Sequence, residues 1–555
     1  MKRITLLLFL FYSSYIYASN DAGSITKEIN KQLNSTTLNP SFKESKKEKE
    51  PITQEDPAAL KLVVKGFALS GNTLIDSNEI QNILSLYVGK SLSFNQIQNA
   101  TRNIAELYRV RGYSARAFLP PQEVQNGVIQ IIVLEGTLSA IEIDAQAVER
   151  ISATYAKNII KNAHSIGKKL QTQKLQKGLL LLSDTPGIIS KSTLVPGKKA
   201  GESKVKVKLK DANLMNGFLS YSNTGSKSTG QHQAVLAASL NSPLGIGDQI
   251  NTQMMKTKGI KYGKVSYTIP LGYSGLRVGV YGNAMNYDVI DGTDADGGSY
   301  SLGLTSSYPL IRSRDLNLNF GINYDHKSYK NYTSNIKVSD KTNKVLSTVL
   351  NGSYFDKYGM SQFSTQLSFG KIDLSGEASD LLADSVTTKT QGSYQKLFLT
   401  AQRYQNINET LFFTLLGTLQ LANKNLDSSE KLSLGGAYGV RAYPSNESTG
   451  DEGWLINAEI TKRLPYGFGV SAFYDIGKIK QNKNLYTNWQ GVMTDKNSYL
   501  LKGFGVGTTY TKGTFSAKAT LAFKDGDNPN PQPDGSDNDG TNKDPRFWVQ
   551  LNYSF

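Results

Sequence analysis

Few residues in this chain have the types and spacing that covalent chemistry requires. The three histidines, His164, His232 and His326, stand far apart, and neither a G-x-S-x-G elbow nor a phosphate-cradling G-x-x-x-x-G-K-[ST] loop occurs. His232 and His326 could each serve as a base, but no nucleophile motif lies beside either. Absence of cysteine removes disulfides and thiolate metal sites, and it suits passage through an oxidising compartment. Two acidic, glycine-rich stretches, Asp291 to Gly298 and Asp525 to Asp544, set carboxylates at short intervals, as calcium loops do. The first lacks the closing Glu of an EF-hand loop, and Pro529, Pro531 and Pro533 break the second. Both read as solvated loops. No catalytic, cofactor or metal residue is assigned, and an enzyme is not expected.

One carboxylate is set apart by its register. Asp475 falls on the polar face of a segment whose other face carries Phe468, Val470, Ala472, Tyr474 and Ile476. A strand with one apolar and one polar face separates two environments, and taken alone Asp475 reads as a solvated pore residue. The same period of two recurs through Leu316, Leu318, Phe320, Ile322 and Tyr324, through Phe413 to Leu421, and through Phe515 to Phe523. It appears again at the end of the chain, where Phe547, Val549, Leu551, Tyr553 and Phe555 oppose Trp548, Gln550, Asn552 and Ser554. The opposite faces carry Asn, Ser, Thr, Lys and Gly, which suits water and not a sandwich core. Residues 212–555 give about 16 tilted strands at roughly 21 residues per strand and loop. The expected fold is a transmembrane antiparallel β-barrel facing outer-membrane lipid, with the aromatic terminal residue Phe555 as its assembly signal. With 30 Tyr, 21 Phe and a mean hydropathy of −0.36, the composition fits alternating strands better than apolar helices.

The remaining segments explain how such a barrel would be delivered and served. Lys2 and Arg3 precede a short apolar run, and Ala18 closes a small-residue cleavage site, so residues 1–18 read as a secretory leader. Residues 19–59 combine a short helix, with Ile25, Ile29 and Leu33 on one face, and a charged linker; a helix on a linker reads as a docking element. Residues 60–140 read as a small α/β module: a strand over Leu62 to Leu69, two helices, then strands Ala115 to Leu119 and Val128 to Glu135. Residues 141–211 repeat that order, with a strand at Ile141 to Asp144, helices near Val148 to Ala163 and Thr172 to Ser183, and strands near Ile188 to Val195 and Lys204 to Lys210.

The formal net charge is +16, and Lys161 to Lys210 holds twelve lysines against Asp184 and Glu202. A basic excess can signify nucleic acid, but the leader and barrel argue against that partner. The lysines either steer an acidic exported segment or form a solvated face near anionic lipid.

Several phrases together resemble the TpsB transporters of two-partner secretion. Tyr108-Arg109-Val110-Arg111-Gly112-Tyr113 resembles a phrase of their POTRA domains, and Asn241-Ser242-Pro243-Leu244-Gly245-Ile246-Gly247-Asp248 their first barrel hairpin. Leu434-Gly435-Gly436-Ala437-Tyr438-Gly439-Val440-Arg441-Ala442-Tyr443 is similar to their sixth-loop signature. The resemblance implies two periplasmic POTRA domains, an N-terminal plug helix and a barrel in the outer membrane of a Gram-negative bacterium. It implies secretion, with possible activation, of a large exoprotein of haemolysin or adhesin type, received unfolded, and insertion by the barrel-assembly machinery. It also implies that the loop tip, Gly439, Val440, Ala442 and Tyr443 around Arg441, folds inward so that Arg441 holds Asp475. Ala442 replaces the usual glycine, which costs strain only where φ is positive. An insertase of the same superfamily and a solute porin are the alternatives.

Overall fold

The computed structural model describes residues 21–36, 61–146, 148–490 and 496–555. The leader and the charged linker fall outside them. Sixteen antiparallel strands, from Met215–Ser222 to Arg546–Ser554, close into a barrel, the last strand pairing with the first. The period-two faces place the side chains. Phe320, Ile322 and Tyr324 point outward and stay exposed, whereas inward Asn343, Ser347, Ser368 and Gln420 are fully buried. Polar inner residues of an open channel would be wet; here protein covers them. Strand length rises from 8 residues in Met215–Ser222 to 21 in Ile336–Asp356, so one side of the wall is taller.

Two small α/β units precede the barrel. In the first, Val128–Glu135 lies between Gly66–Ser70, parallel to it, and Ala115–Phe118, antiparallel to it. Helices Ser77–Leu84 and Phe94–Val110 cover one face, burying Ile80, Leu84, Ile104 and Tyr108 against Ile131 and Val133. In the second, Glu202–Asp211 lies likewise between Thr137–Asp144 and Ile188–Pro196, under helices Ala153–Ala163 and Thr172–Ser183.

Three local expectations are corrected. The strand expected over Leu62 to Leu69 is two pieces, Lys61–Val63 and Gly66–Ser70, because the Val64 and Lys65 amides donate out of line to Lys90 and Gly127. The strand expected from Ile141 begins at Thr137. A bulge between Leu138 and Ala140 turns both Leu138 and Ile141 inward, a spacing of three that hides the period of two. The helix expected from Val148 starts at Ala153, where the Ser152 hydroxyl accepts from the Tyr155 amide at 3.1 Å.

The second unit sits on one rim of the barrel. Arg312 donates to both oxygens of Asp184 at 2.7 and 2.8 Å, Ser242 Oγ donates to Arg150 O at 2.7 Å, and Tyr155 OH donates to Gly272 O at 3.3 Å. Those barrel residues lie in or directly beside the turns at that rim, so the long connections 374–391, 423–451 and 525–545 emerge at the other. Between the two units, the Glu135 carboxylate accepts from the Thr73 and Leu74 amides at 2.6 and 2.7 Å and from Tyr108 OH at 2.9 Å. It also pairs with Lys169 of the second unit at 2.8 Å.

Candidate functional site in the barrel lumen

The connection 423–451 turns into the barrel, and its glycines permit the turn. Gly436 takes φ +102°, and at Gly439 a Cβ would come within 1.8 Å of the Leu434 carbonyl oxygen, so only glycine fits. The Val440 amide donates to that oxygen at 2.8 Å, closing the tip. Leu434, Val440, Ala442 and Tyr443 are buried with Leu455, Phe473, Leu501 and Ala522 of the wall. Ala442 is not among the residues of positive φ. Its methyl group fills the space over Gly503, where a Cβ would meet it at 2.6 Å. The departure from glycine is therefore unstrained.

The structure brings Arg441 and Asp475 together. Arg441 Nε donates to Asp475 Oδ2 and Nη2 to Oδ1, both at 2.8 Å, a bidentate pairing of guanidinium and carboxylate. The Arg441 amide adds a third donor at 3.1 Å. Asp475 is fully buried and Arg441 nearly so, as a locked pair requires and a solvated pore carboxylate would not be. Four partners were missed. Glu459 Oε2 accepts from Arg441 Nη1 at 2.5 Å, Asn457 Nδ2 donates to Asp475 Oδ1 at 2.7 Å, and the Phe473 ring centroid lies 3.4 Å from the guanidinium carbon. Trp548 Nε1 donates to the Arg441 carbonyl at 2.8 Å. Register could have found two of these: Asn457 and Glu459 alternate with outward Trp454, Ile456, Ala458 and Ile460, and Asn457 lies directly across from Asp475.

The helix Ala22–Thr36 also lies inside the barrel. Ile25, Ile29 and Leu33 are buried against Met255, Ile260, Tyr262, Met285, Tyr287 and Tyr329, an apolar patch on the inner wall. The Ala22 amide donates to Asn331 Oδ1 at 2.8 Å, and Thr26 and Ser299 share a hydroxyl contact at 2.7 Å. The helix start and the loop base hold the same wall lysine: Lys341 Nζ lies 2.9 Å from Asp21 and 2.7 Å from Asp427. Nearby, Glu430 of the loop pairs with Lys396 and, at 3.0 Å, with Lys327.

The other candidates stand apart from this cluster. His164 is buried in the second unit, where its Nε2 accepts from the Gln171 amide at 3.0 Å; His232 contacts Tyr221 at 2.9 Å, and His326 faces outward. The stretch from Asp291 runs into the strand Ala295–Arg312. The stretch Asp525 to Asp544 is not simply solvated: Asp537 is fully buried, pairing with Lys524 at 2.7 Å and Arg546 at 2.8 Å, while Asp539 pairs with Arg546 at 2.9 Å. Among the described residues no cluster of His, Asp and Glu could hold a metal. Phe555 closes the seam, exchanging backbone hydrogen bonds with Gly217 at 2.9 and 3.0 Å.

Comparison with known proteins places these features together. Residues 201–510 match the family model described as haemolysin secretion/activation protein ShlB/FhaC/HecB, and residues 62–136 match the ShlB-type POTRA domain. The heme/hemopexin transporter protein HuxB of Haemophilus influenzae is 28% identical, over 90% of this chain and 91% of its own. Among solved structures, CdiB from Escherichia coli has a TM-score of 0.72 at 20% identity, covering 96% of this chain and 98% of that one. BamA from Haemophilus ducreyi lacking POTRA domains 1–3 has a TM-score of 0.52 at 14% identity, covering 90% of this chain and 100% of that one. Both likenesses are of fold.

Proposed function

The chain belongs to the haemolysin secretion/activation family ShlB/FhaC/HecB, and from that premise we propose how it moves a partner exoprotein across the outer membrane. It is an outer-membrane β-barrel transporter whose POTRA region lies in the periplasm. The observation that carries the proposal is the contrast between the two segments filling the lumen. The helix Ala22–Thr36 rests on one apolar stripe, a few polar contacts and the single Asp21–Lys341 pair at its start, while the loop tip is fixed by a buried bidentate guanidinium–carboxylate pair. The helix is the removable plug and the loop the fixed element, held by Arg441 on Asp475.

The unfolded exoprotein, of haemolysin or adhesin type, adds a strand to an exposed periplasmic edge, displaces the helix and threads the lumen. Folding outside supplies direction. Such an edge is offered by Ala115–Phe118 in the first unit and by Ile188–Pro196 in the second, each paired on one side only, the latter exposing Ile189 and Leu194. A haem-scavenging cargo is supported by the likeness to the heme/hemopexin transporter. Phe555 serves as the signal read by the barrel-assembly machinery.

A second reading, insertion of other barrels, draws on the fold shared with BamA and on the seam: five residue pairs join the last strand to the first, against eight between the first and second. One experiment separates the two. The chain is produced together with its exoprotein partner, with and without residues 62–136. Transport predicts a heat-modifiable barrel in both and exoprotein in the medium only with the intact chain. Normal export by the truncated chain would overturn capture by this module, and defective assembly of unrelated barrels on loss of the whole chain would favour insertion.

A further inference from the structure

Three neighbouring strands, Leu316–Thr333, Ile336–Asp356 and Gly359–Asp373, carry an outward row that the transport reading does not use. His326 lies directly across from Lys344, and Lys344 directly across from Lys371. Side chains in direct opposition have Cβ atoms about 5 Å apart, and like charges so placed repel. Both lysines are exposed, and among the described residues no carboxylate lies within ion-pair distance of either. The contrast within the same sheet is Lys330, which has Asp340 at 3.8 Å. Asp373, two residues beyond Lys371 on the same face, is engaged by the Ser375 amide at 3.1 Å and by Gln391 at 3.3 Å, and it feels the charge of Lys371 without an ion pair between them.

The height of this row in the wall identifies what could neutralise it. Immediately toward the module-side rim, the outward residues turn apolar: Tyr324 below His326, Leu346 below Lys344, Phe369 below Lys371. The apolar run on the central strand ends at exposed Tyr354 near the periplasmic turn. From Lys344 to Tyr354 the chain rises about 33 Å along the strand, and about 25 Å along the membrane normal at a tilt of about 40°. That is the height of a barrel's apolar band, about 25 Å. With Tyr354 at the periplasmic interface, Lys344 and Lys371 lie at the extracellular one, where the outer leaflet presents its headgroups.

We propose that His326, Lys344 and Lys371 form a binding site for a phosphate of the outer leaflet's glycolipid, the bisphosphorylated diglucosamine of lipid A. A phosphate set between the two ammonium groups removes their repulsion and accepts from both, as a charge-assisted site does. The imidazole of His326 extends the row by one strand. Tyr324, Leu346 and Phe369 provide the apolar surface on which the acyl chains of the same lipid lie. Lysines at a membrane interface commonly extend toward water. Two in direct opposition without a carboxylate fit a shared anion better than independent solvation.

The test uses the full chain purified in detergent, with bound lipid counted by native mass spectrometry. The probes are lipid A with both phosphates, lipid A with both removed, and phosphatidylglycerol. Wild type is expected to retain the bisphosphorylated form in preference to the other two, and K344Q/K371Q to bind it roughly 30-fold more weakly, from the contribution of two lysines at an anionic lipid surface. K357Q/K512Q, which removes two exposed lysines at the opposite rim, keeps wild-type binding. A gel shift on heating verifies that both variants retain the barrel. Equal binding by K344Q/K371Q, or equal binding of dephosphorylated lipid A, would overturn the site. Equally tight phosphatidylglycerol binding that K344Q/K371Q loses would overturn the glycolipid assignment.

Discussion

Removing Arg441 should free the loop tip while leaving the barrel standing. In Arg441→Ala, Asp475 loses the Nε and Nη2 donors at 2.8 Å and keeps only the backbone amide and Asn457; Glu459 loses its donor at 2.5 Å. Leaving a buried carboxylate without its cation costs about 3–5 kcal/mol, about a thousandfold at the midpoint in any local opening equilibrium. Asp475→Ala strands the guanidinium in the same way, although Glu459 still holds one of its arms. If the two side chains serve one interaction, the double variant costs little beyond either single one. The chain has no cysteine, so Val440→Cys, fully buried at the tip, gives a single reporter. Its modification by a maleimide in isolated outer membranes should rise by about that factor in each single variant, and secretion should fall. Unchanged modification in Arg441→Ala would remove the anchor, and additive effects across the cycle would show that Arg441 and Asp475 act separately.

Other expectations follow from the plug and the periplasmic units. Deleting Ser19 to Asn34 should raise single-channel conductance in planar bilayers, because Ile25, Ile29 and Leu33 then no longer cover the inner wall; unchanged conductance would exclude the helix as a plug. Glu135→Ala leaves the Thr73 and Leu74 amides and Tyr108 OH without an acceptor, and should cost the isolated fragment 61–211 about 3 kcal/mol in urea unfolding. Burial alone would raise the Glu135 carboxyl, but Lys169, Thr73 and the two amides outweigh it and hold it at about 2, against 4.5 ordinarily. A depressed carboxyl stabilises the fold above its unfolded value, so this contribution is present above about pH 4.5 and drains away toward pH 2. Glu135→Ala should lack that part of the acid sensitivity; identical acid profiles would contradict the assignment.

Much of this architecture could be read in the chain because the outward faces repeat every second residue. Leu316 to Tyr324 and Phe547 to Phe555 each mark a strand, and the length of residues 212–555 accommodates about sixteen of them, the number in the closed barrel. Arg441 and Asp475 could be paired only through the loop phrase that resembles the family signature, since nothing local joins residues 34 positions apart. The reading missed what depends on register between strands. Asn457 meets Asp475 because two strands align, and Glu459 reaches Arg441 because the loop descends to that level. Asp537 looked solvated because its partners Lys524 and Arg546 lie at the ends of the flanking strands and not within the loop. The bulge at Ser139 concealed the start of a strand by breaking the period that identifies one.

Passage of the exoprotein through the barrel interior can be observed directly. A photo-crosslinking residue is placed at Gln402, which faces the lumen, or at Leu397, which lies on the outward face of the same strand Gly392–Asn406. Both are irradiated during export. A covalent adduct of exoprotein at Gln402 and none at Leu397 is the predicted result. Full export without an adduct at Gln402, or equal adducts at both positions, would contradict transport through the lumen.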